Sequence, residues 1–231
     1  MSYVLPAPAV VALPVLGRTE RIAARRVYCV GRNYVEHARE MGFSGREPPF
    51  FFMKPTDALT FVEAGSIGTM PYPSLTQDLH HEIELVAVIG KGGRNIAAAS
   101  ALDHVWGYAV GLDMTRRDVQ AEMKKHGRPW EIGKAFDHSA PIGPVVAAAD
   151  LPGIHAANIQ LSVNGTQRQS SSTSKLIWSV AETIEHLSRA WELQPGDLIF
   201  TGTPEGVAAV VQGDLLVGRI EGLPELNVRI A

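Results

Sequence analysis

The sequence predicts a mixed, β-rich α+β single domain, and two observations carry that prediction. Short apolar runs bounded by Gly and Pro recur along the chain, while helical patterns are few and do not alternate regularly with them. A doubly wound sheet or a βα barrel requires that alternation, so both are set aside. The domain is expected over 21–231, after an apolar, proline-broken N-terminal arm over 1–20.

In chain order, RRVYCVG, PPFFFMKP, HEIELVAVIG, VWGYAVGLDMT, IQLSVNGTQRQ, GDLIFTGTPEG, DLLVGRI and ELNVRIA each read as strands. Asn164–Gly165 is a strong hairpin signal, because both residue types tolerate positive φ. Gly202–Thr203–Pro204 marks a second tight connection. RNYVEHAREMG is a short helix with Asn33 as N-cap and Gly42 as its stop. TRRDVQAEMKKHG is another, ended by Gly127. The longest helix is read from KLIWSVAETIEHLSRAWELQPG. Its apolar stripe is Leu176, Ile177, Val180, Ile184, Leu187 and Ala190, and Pro195–Gly196 closes it. SSSTS at 170–174 fits the loop leading into that helix.

Of the 231 residues, 45% are hydrophobic and 19% charged, enough apolar material for a substantial core. A net charge of −3 with no basic cluster points away from nucleic acid and anionic membranes. No run approaches the roughly 20 apolar residues a membrane helix needs. A lone cysteine, Cys29, excludes an internal disulfide and suits a reducing compartment. The expectation is a cytoplasmic protein acting on a small molecule.

Within HHEIELVAVIG, Glu82 and Glu84 share one face of a strand otherwise apolar on both faces. Two carboxylates there repel each other and resist desolvation, so something must compensate. Three readings stand: a wet strand end, basic partners in the core, or a bound cation. Positions two apart on a strand are about 6.5–7 Å apart, close enough for converging carboxylates to reach one ion. Oxygen-only donors favour a hard divalent cation over zinc. Asp113, closing the buried-looking run VWGYAVGLD, supplies a third acid. Arg117 and Gln120 follow it at i+4 and i+7, the spacing of a helix start. Three acids and one divalent ion leave one negative charge, which Lys134 in EIGKAFD can balance. His37 and Glu40, three apart on a helix, form either a solvated surface pair or a carboxylate-oriented general base. The Gly-rich turn of GDLIFTGTPEGV reads as a hairpin or as a cradle of N–H groups for a carboxylate.

Seven segments in this order resemble the fumarylacetoacetate hydrolase superfamily: GRNYVEHAREMG, FFMKPTDAL, LHHEIELVAVIGK, GYAVGLDMTRRDVQ, GKAFDHSAPIGP, LSVNGTQRQ and GDLIFTGTPEGV. The likeness runs from about residue 25 to the C-terminus and is nearest to the single-domain acylpyruvase branch, with bacterial fumarylpyruvate hydrolases most alike. The resemblance implies a mixed β-sheet roll with short flanking helices, assembled as a homodimer. It also implies Mg2+ or Mn2+ held by Glu82, Glu84 and Asp113, with water or substrate in the remaining positions. It places His37 and Glu40 on a lid-like helix as the water-activating base. Lys134 and Gln120 come near the ketoacid, and Thr203 with its neighbour Gly202 at the substrate carboxylate. Lys54 and Arg32 match further motif positions, Arg32 as a substrate contact. The implied reaction is hydrolysis of a C–C bond in a 2,4-diketo acid, fumarylpyruvate giving fumarate and pyruvate in gentisate degradation. Broader acylpyruvate hydrolysis, oxaloacetate decarboxylation and dienedioate isomerisation or decarboxylation use the same kind of site.

Overall fold

The computed structural model describes residues 3–36 and 46–231. Its main sheet runs in the order Phe50–Lys54, Val27–Gly31, Leu198–Phe200, Ile83–Ile89, Val105–Leu112, Ala140–Ile142 and Leu59–Phe61, with Val146–Ala147 also on Val105–Leu112. Leu198–Phe200 is parallel to Val27–Gly31 and antiparallel to Ile83–Ile89, so the sheet is mixed. A second sheet orders Thr166–Ser172, Asn158–Val163, Leu215–Ile220, Leu226–Ile230 and Ile67–Met70.

The strand Ile83–Ile89 is buried along its whole length. Ile83, Leu85, Ala87 and Ile89 enter the larger core, where they meet Leu161, Leu216 and Val228 of the second sheet and Ile184 and Leu187 of a helix. Val86 and Val88 point the other way, into a smaller core with Val27, Phe200, Ile142 and Leu13. Each Val, Leu or Ile side chain among these contributes about 1.5–3 kcal/mol by leaving water, which fixes the strand's register. Leu13 reaches this layer because Ala12–Pro14 pairs with Arg21–Ala23, folding the N-terminal segment over the sheet.

The hairpin forms at Asn164 and Gly165, with φ of 51° and 79°. Three other expectations need correction. The longest helix covers only Val180–Ala190, because Ser179 and Glu182 form a capping box that starts it there. Leu176 and Ile177 therefore lie outside it; Leu176 bridges to Tyr34, and the Ile177 N–H donates to the Asn33 carbonyl at 2.8 Å. The serine-rich patch is the end of the strand Thr166–Ser172, followed by a 3-10 turn over Thr173–Lys175. The helix expected after Asn33 falls largely outside the described residues, and the Asn33 side chain binds distant backbone. Its amide donates to the Trp178 and Thr201 carbonyls and its oxygen accepts from the Trp178 N–H, at 2.7–2.9 Å. Finally, Asp113 is not on the helix that carries Arg117 and Gln120. That helix is Arg117–Lys125, and Thr115–Arg116 forms a short strand before it. Strands of two to four residues, such as Ala140–Ile142, are too short for periodicity to reveal.

No helix among the described residues is long and apolar enough to cross a membrane.

Candidate metal centre and its cleft

Strand register assembles the acids. Ile83 lies opposite Leu112 and Glu84 opposite Gly111 in an antiparallel pair. One step further, the Asp113 N–H donates to the Glu82 carbonyl at 2.8 Å, so Asp113 is the cross-strand neighbour of Glu82. Ligand oxygens of Glu82, Glu84 and Asp113 consequently lie within 4.8 Å of one another, all three residues buried. On the other side, Phe200 pairs with Val86, which brings Gly202 level with Glu84. The Gly202 N–H donates to Glu84 Oε2 at 2.7 Å.

Burial pushes the Glu84 carboxyl well above its ordinary pKa, and the charges of Asp113 and Glu82 push it further; the Gly202 N–H and Lys134 act against them. Three cations meet the three acids. Lys134 donates to Glu82 Oε2 at 2.9 Å and to Asp113 Oδ2 at 2.6 Å. Lys54 Nζ approaches Asp113 Oδ1 at 2.8 Å as an ionic contact, its hydrogen bonds going to Ser139 Oγ and to the Met114 and Lys134 carbonyls. Arg117 pairs with Glu82 and donates to Gln120 Oε1 at 2.6 Å. The charge arithmetic read from sequence is thereby extended: Lys134 is one of three cationic side chains that face the acids. Desolvation lowers the Lys134 pKa, but Asp113 and Glu82 more than offset it, leaving it raised and the ammonium charged.

The acids open into a small cleft lined also by Arg32, Phe52, Arg117, Gln120, Trp130, Lys134 and Thr203. The Arg32 guanidinium lies over the Phe50 ring at 4.8 Å. Three converging carboxylate oxygens with no nitrogen or sulfur among them fit a hard divalent cation.

The family model for the fumarylacetoacetate (FAA) hydrolase C-terminal region matches residues 26–231. The chain belongs to the fumarylacetoacetate hydrolase family. Among the relatives of this family, the crystal structure of fumarylpyruvate hydrolase from Pseudomonas aeruginosa in complex with Mn2+ and pyruvate is 57% identical, with a TM-score of 0.98, covering 100% of this chain and 99% of that one. Fumarylpyruvate hydrolase of Ralstonia sp is 45% identical over 184 residues, 80% of this chain and 93% of the relative. Oxaloacetate tautomerase FAHD1, mitochondrial, of Homo sapiens is 41% identical over 206 residues, 89% of this chain and 91% of the relative. The strand-rich α+β fold expected from sequence agrees with these structural neighbours.

Set against that family frame, the geometry brings Glu82, Glu84, Asp113, Lys134, Gln120, Thr203 and Arg32 to one cleft, with Gly202 immediately behind it. His37 and Glu40 lie outside the described residues. Sequence reasoning understated three residues. Arg117, whose spacing alone marks it in the sequence, pairs with Glu82. Lys54 follows Phe50 and Phe52 at period two, so one strand face carries two aromatics and a buried lysine; that alternation was the available signal. Gln169, fully buried beneath the Gly202–Pro204 turn, had no signal, because Gln167 and Gln169 look alike in sequence.

Proposed function

We propose that this chain is a divalent-cation-dependent hydrolase that cleaves the C–C bond of a 2,4-diketo acid, with fumarylpyruvate giving fumarate and pyruvate. The observation that carries the reading is the convergence of Glu82, Glu84 and Asp113 within 4.8 Å beside Lys134 and Thr203. Likeness to a fumarylpyruvate hydrolase whose structure contains Mn2+ and pyruvate supports it at 57% identity.

In this reading Glu82, Glu84 and Asp113 hold Mg2+ or Mn2+, which supplies Lewis acidity toward the oxygens of the ketoacid. Because three cationic side chains already face the acids, a divalent ion makes the cleft more positive. That charge suits a substrate with two carboxylates. Thr203 and Gln120 contact the pyruvyl end of the substrate, with Gly202 supporting the turn beside it. Arg32, which lines the cleft, meets the distal carboxylate. His37, oriented by Glu40, takes a proton from water, whose oxygen attacks the C4 carbonyl. The C3–C4 bond then breaks, fumarate carries the added oxygen, and a proton delivered to C3 completes pyruvate. Lys134 places fixed positive charge where negative charge gathers as that bond breaks.

A second reading, broader ketoacid chemistry on oxaloacetate or acylpyruvates, is favoured by the 41% identity to the human oxaloacetate tautomerase. Catalytic efficiencies on fumarylpyruvate, maleylpyruvate, acetylpyruvate and oxaloacetate, each with Mg2+ and Mn2+, decide between them. Fumarylpyruvate at the bottom of that series sinks the first reading. Single-turnover cleavage by His37→Ala with the ion retained tests the base; an unchanged rate removes it. Homodimer assembly, a cytoplasmic location and a role in gentisate degradation complete the proposal. A monomer by light scattering, export in fractionation, or unimpaired growth of a deletion strain on gentisate removes each in turn.

A further inference from the structure

Gln169 lies on the strand Thr166–Ser172, whose pairing with Asn158–Val163 shifts register between Leu161 and Ser162. Leu161 faces Gln169 and Ser162 faces Gln167, so Arg168 is an extra, bulged residue. The bulge turns Gln169 inward to complete burial while Gln167 and Arg168 stay exposed. The loop after Pro204 closes against this bulge, since a Cβ at Gly206 would collide with the Arg168 carbonyl.

Two backbone groups set the orientation of the Gln169 amide. The Ile83 N–H can only donate, and it reaches Gln169 Oε1 at 3.1 Å. The Pro204 carbonyl can only accept, and it lies 2.8 Å from Gln169 Nε2. With the amide so fixed, its other Nε2 hydrogen goes to Thr203 Oγ1 at 2.8 Å, and His81 Nδ1, 3.0 Å from Oε1, must carry a hydrogen. Thr203 therefore accepts from inside the protein. Among the described residues its own hydroxyl proton has no acceptor within the chain, and Thr203 lines the cleft beside the acids.

We infer that Gln169 is a positioning residue: it fixes the Thr203 hydroxyl as a donor aimed into the cleft, ready for an anionic oxygen of the ligand. A serine or threonine hydroxyl ordinarily rotates between donating and accepting. Occupying a lone pair from inside aims the O–H at the cleft, which favours a carboxylate, a group that only accepts. This rests on the reading that Thr203 meets the carboxylate of a ketoacid.

The test is pyruvate affinity for the Mn2+-loaded chain, measured by calorimetry. Gln169→Glu keeps an acceptor for Ile83 but cannot donate to Thr203, whose proton then turns inward. It is made in the wild type and in Thr203→Ser and Thr203→Val backgrounds. Pyruvate binding should weaken about tenfold or more in the wild type and in Thr203→Ser, the value of a hydrogen bond to a charged group. In Thr203→Val, which has no hydroxyl to orient, the same change should add nothing. Equal losses in all three backgrounds assign Gln169 a merely architectural role and overturn the inference. Unchanged affinity in the wild type and in Thr203→Ser overturns it as well. If Thr203→Val alone binds pyruvate like the wild type, the placement of the carboxylate fails and takes the inference with it. If Thr203→Val binds weakly and Gln169→Glu does not, only the role of Gln169 falls. Should the buried carboxylate prevent folding, Gln169→Met, which neither donates to Thr203 nor accepts from it, goes through the same cycle with the same criteria.

Discussion

Lys134 donates to Asp113 at 2.6 Å while also reaching Glu82 at 2.9 Å, so one ammonium holds together two acids that flank the ends of paired strands. Its removal leaves buried carboxylates short of a counter-charge, a loss of about 3–5 kcal/mol for a broken buried pair. Lys134→Met should therefore unfold earlier without a metal and regain more stability than the wild type on adding Mn2+. Turnover should fall by about 10²–10³-fold even at saturating Mn2+, since fixed charge at the reacting centre is lost. Thermal melts with and without Mn2+ check the first part. A variant as stable as the wild type when metal-free would contradict it.

Glu84→Gln should act in the opposite direction. The Glu84 carboxylate is desolvated and crowded by Asp113 and Glu82, so a neutral amide of the same shape should stabilise the metal-free chain. It should also weaken Mn2+ binding. At a free-ion concentration of 100 times Kd, a specific ligand adds about 2.7 kcal/mol to stability. The wild type should show that gain and Glu84→Gln should lose most of it. Retention of the full gain argues against a shared ion at these residues.

Gly202 has φ of 98°, and a Cβ there would lie 2.6 Å from Asn33 Cβ. Gly202→Ala should destabilise the protein by about 1–3 kcal/mol through backbone strain and overpacking. It should also disturb the N–H that supports Glu84, so Mn2+ affinity should fall with stability. Denaturant midpoints and Mn2+ titrations read both effects; a loss of stability with unchanged affinity separates the turn from the centre.

Burial alone would raise the Glu182 pKa, but bonds from Ser179 and Arg46 outweigh it and leave the carboxyl below its ordinary 4.5. A depressed carboxylate contributes stability that is present above the unfolded pKa and disappears as pH falls through the folded one. The wild type should accordingly exceed Glu182→Gln in stability at pH 7, with the gap closing below about pH 4.5. Ser179→Ala should cost about 1 kcal/mol at pH 7 through the lost cap. Urea melts across pH test both, and a gap that widens on acidification would refute the assignment.

Much of this was legible in the chain because it depends on neighbours in sequence. Alternation along HEIELVAVI places Glu82 and Glu84 together and buries both faces of the strand, as period-two geometry demands. Asn164–Gly165 forms its hairpin because those residues tolerate positive φ. The longest helix was overextended because its stripe continued through Leu176 and Ile177, while the capping box at Ser179 and the contacts of Asn33 end the pattern there. Distant partners were another matter. Lys54 against Asp113, Arg117 against Glu82 and Gln169 beneath Thr203 come from segments 34–59 residues apart. Local sequence determined which face each side chain takes and which residue types were available for chemistry. Only the tertiary structure decided the balance of charge around the acids and the direction of the Thr203 hydroxyl. Both depend on strand register and a bulge, which are set by burial across the whole sheet and not by any one segment.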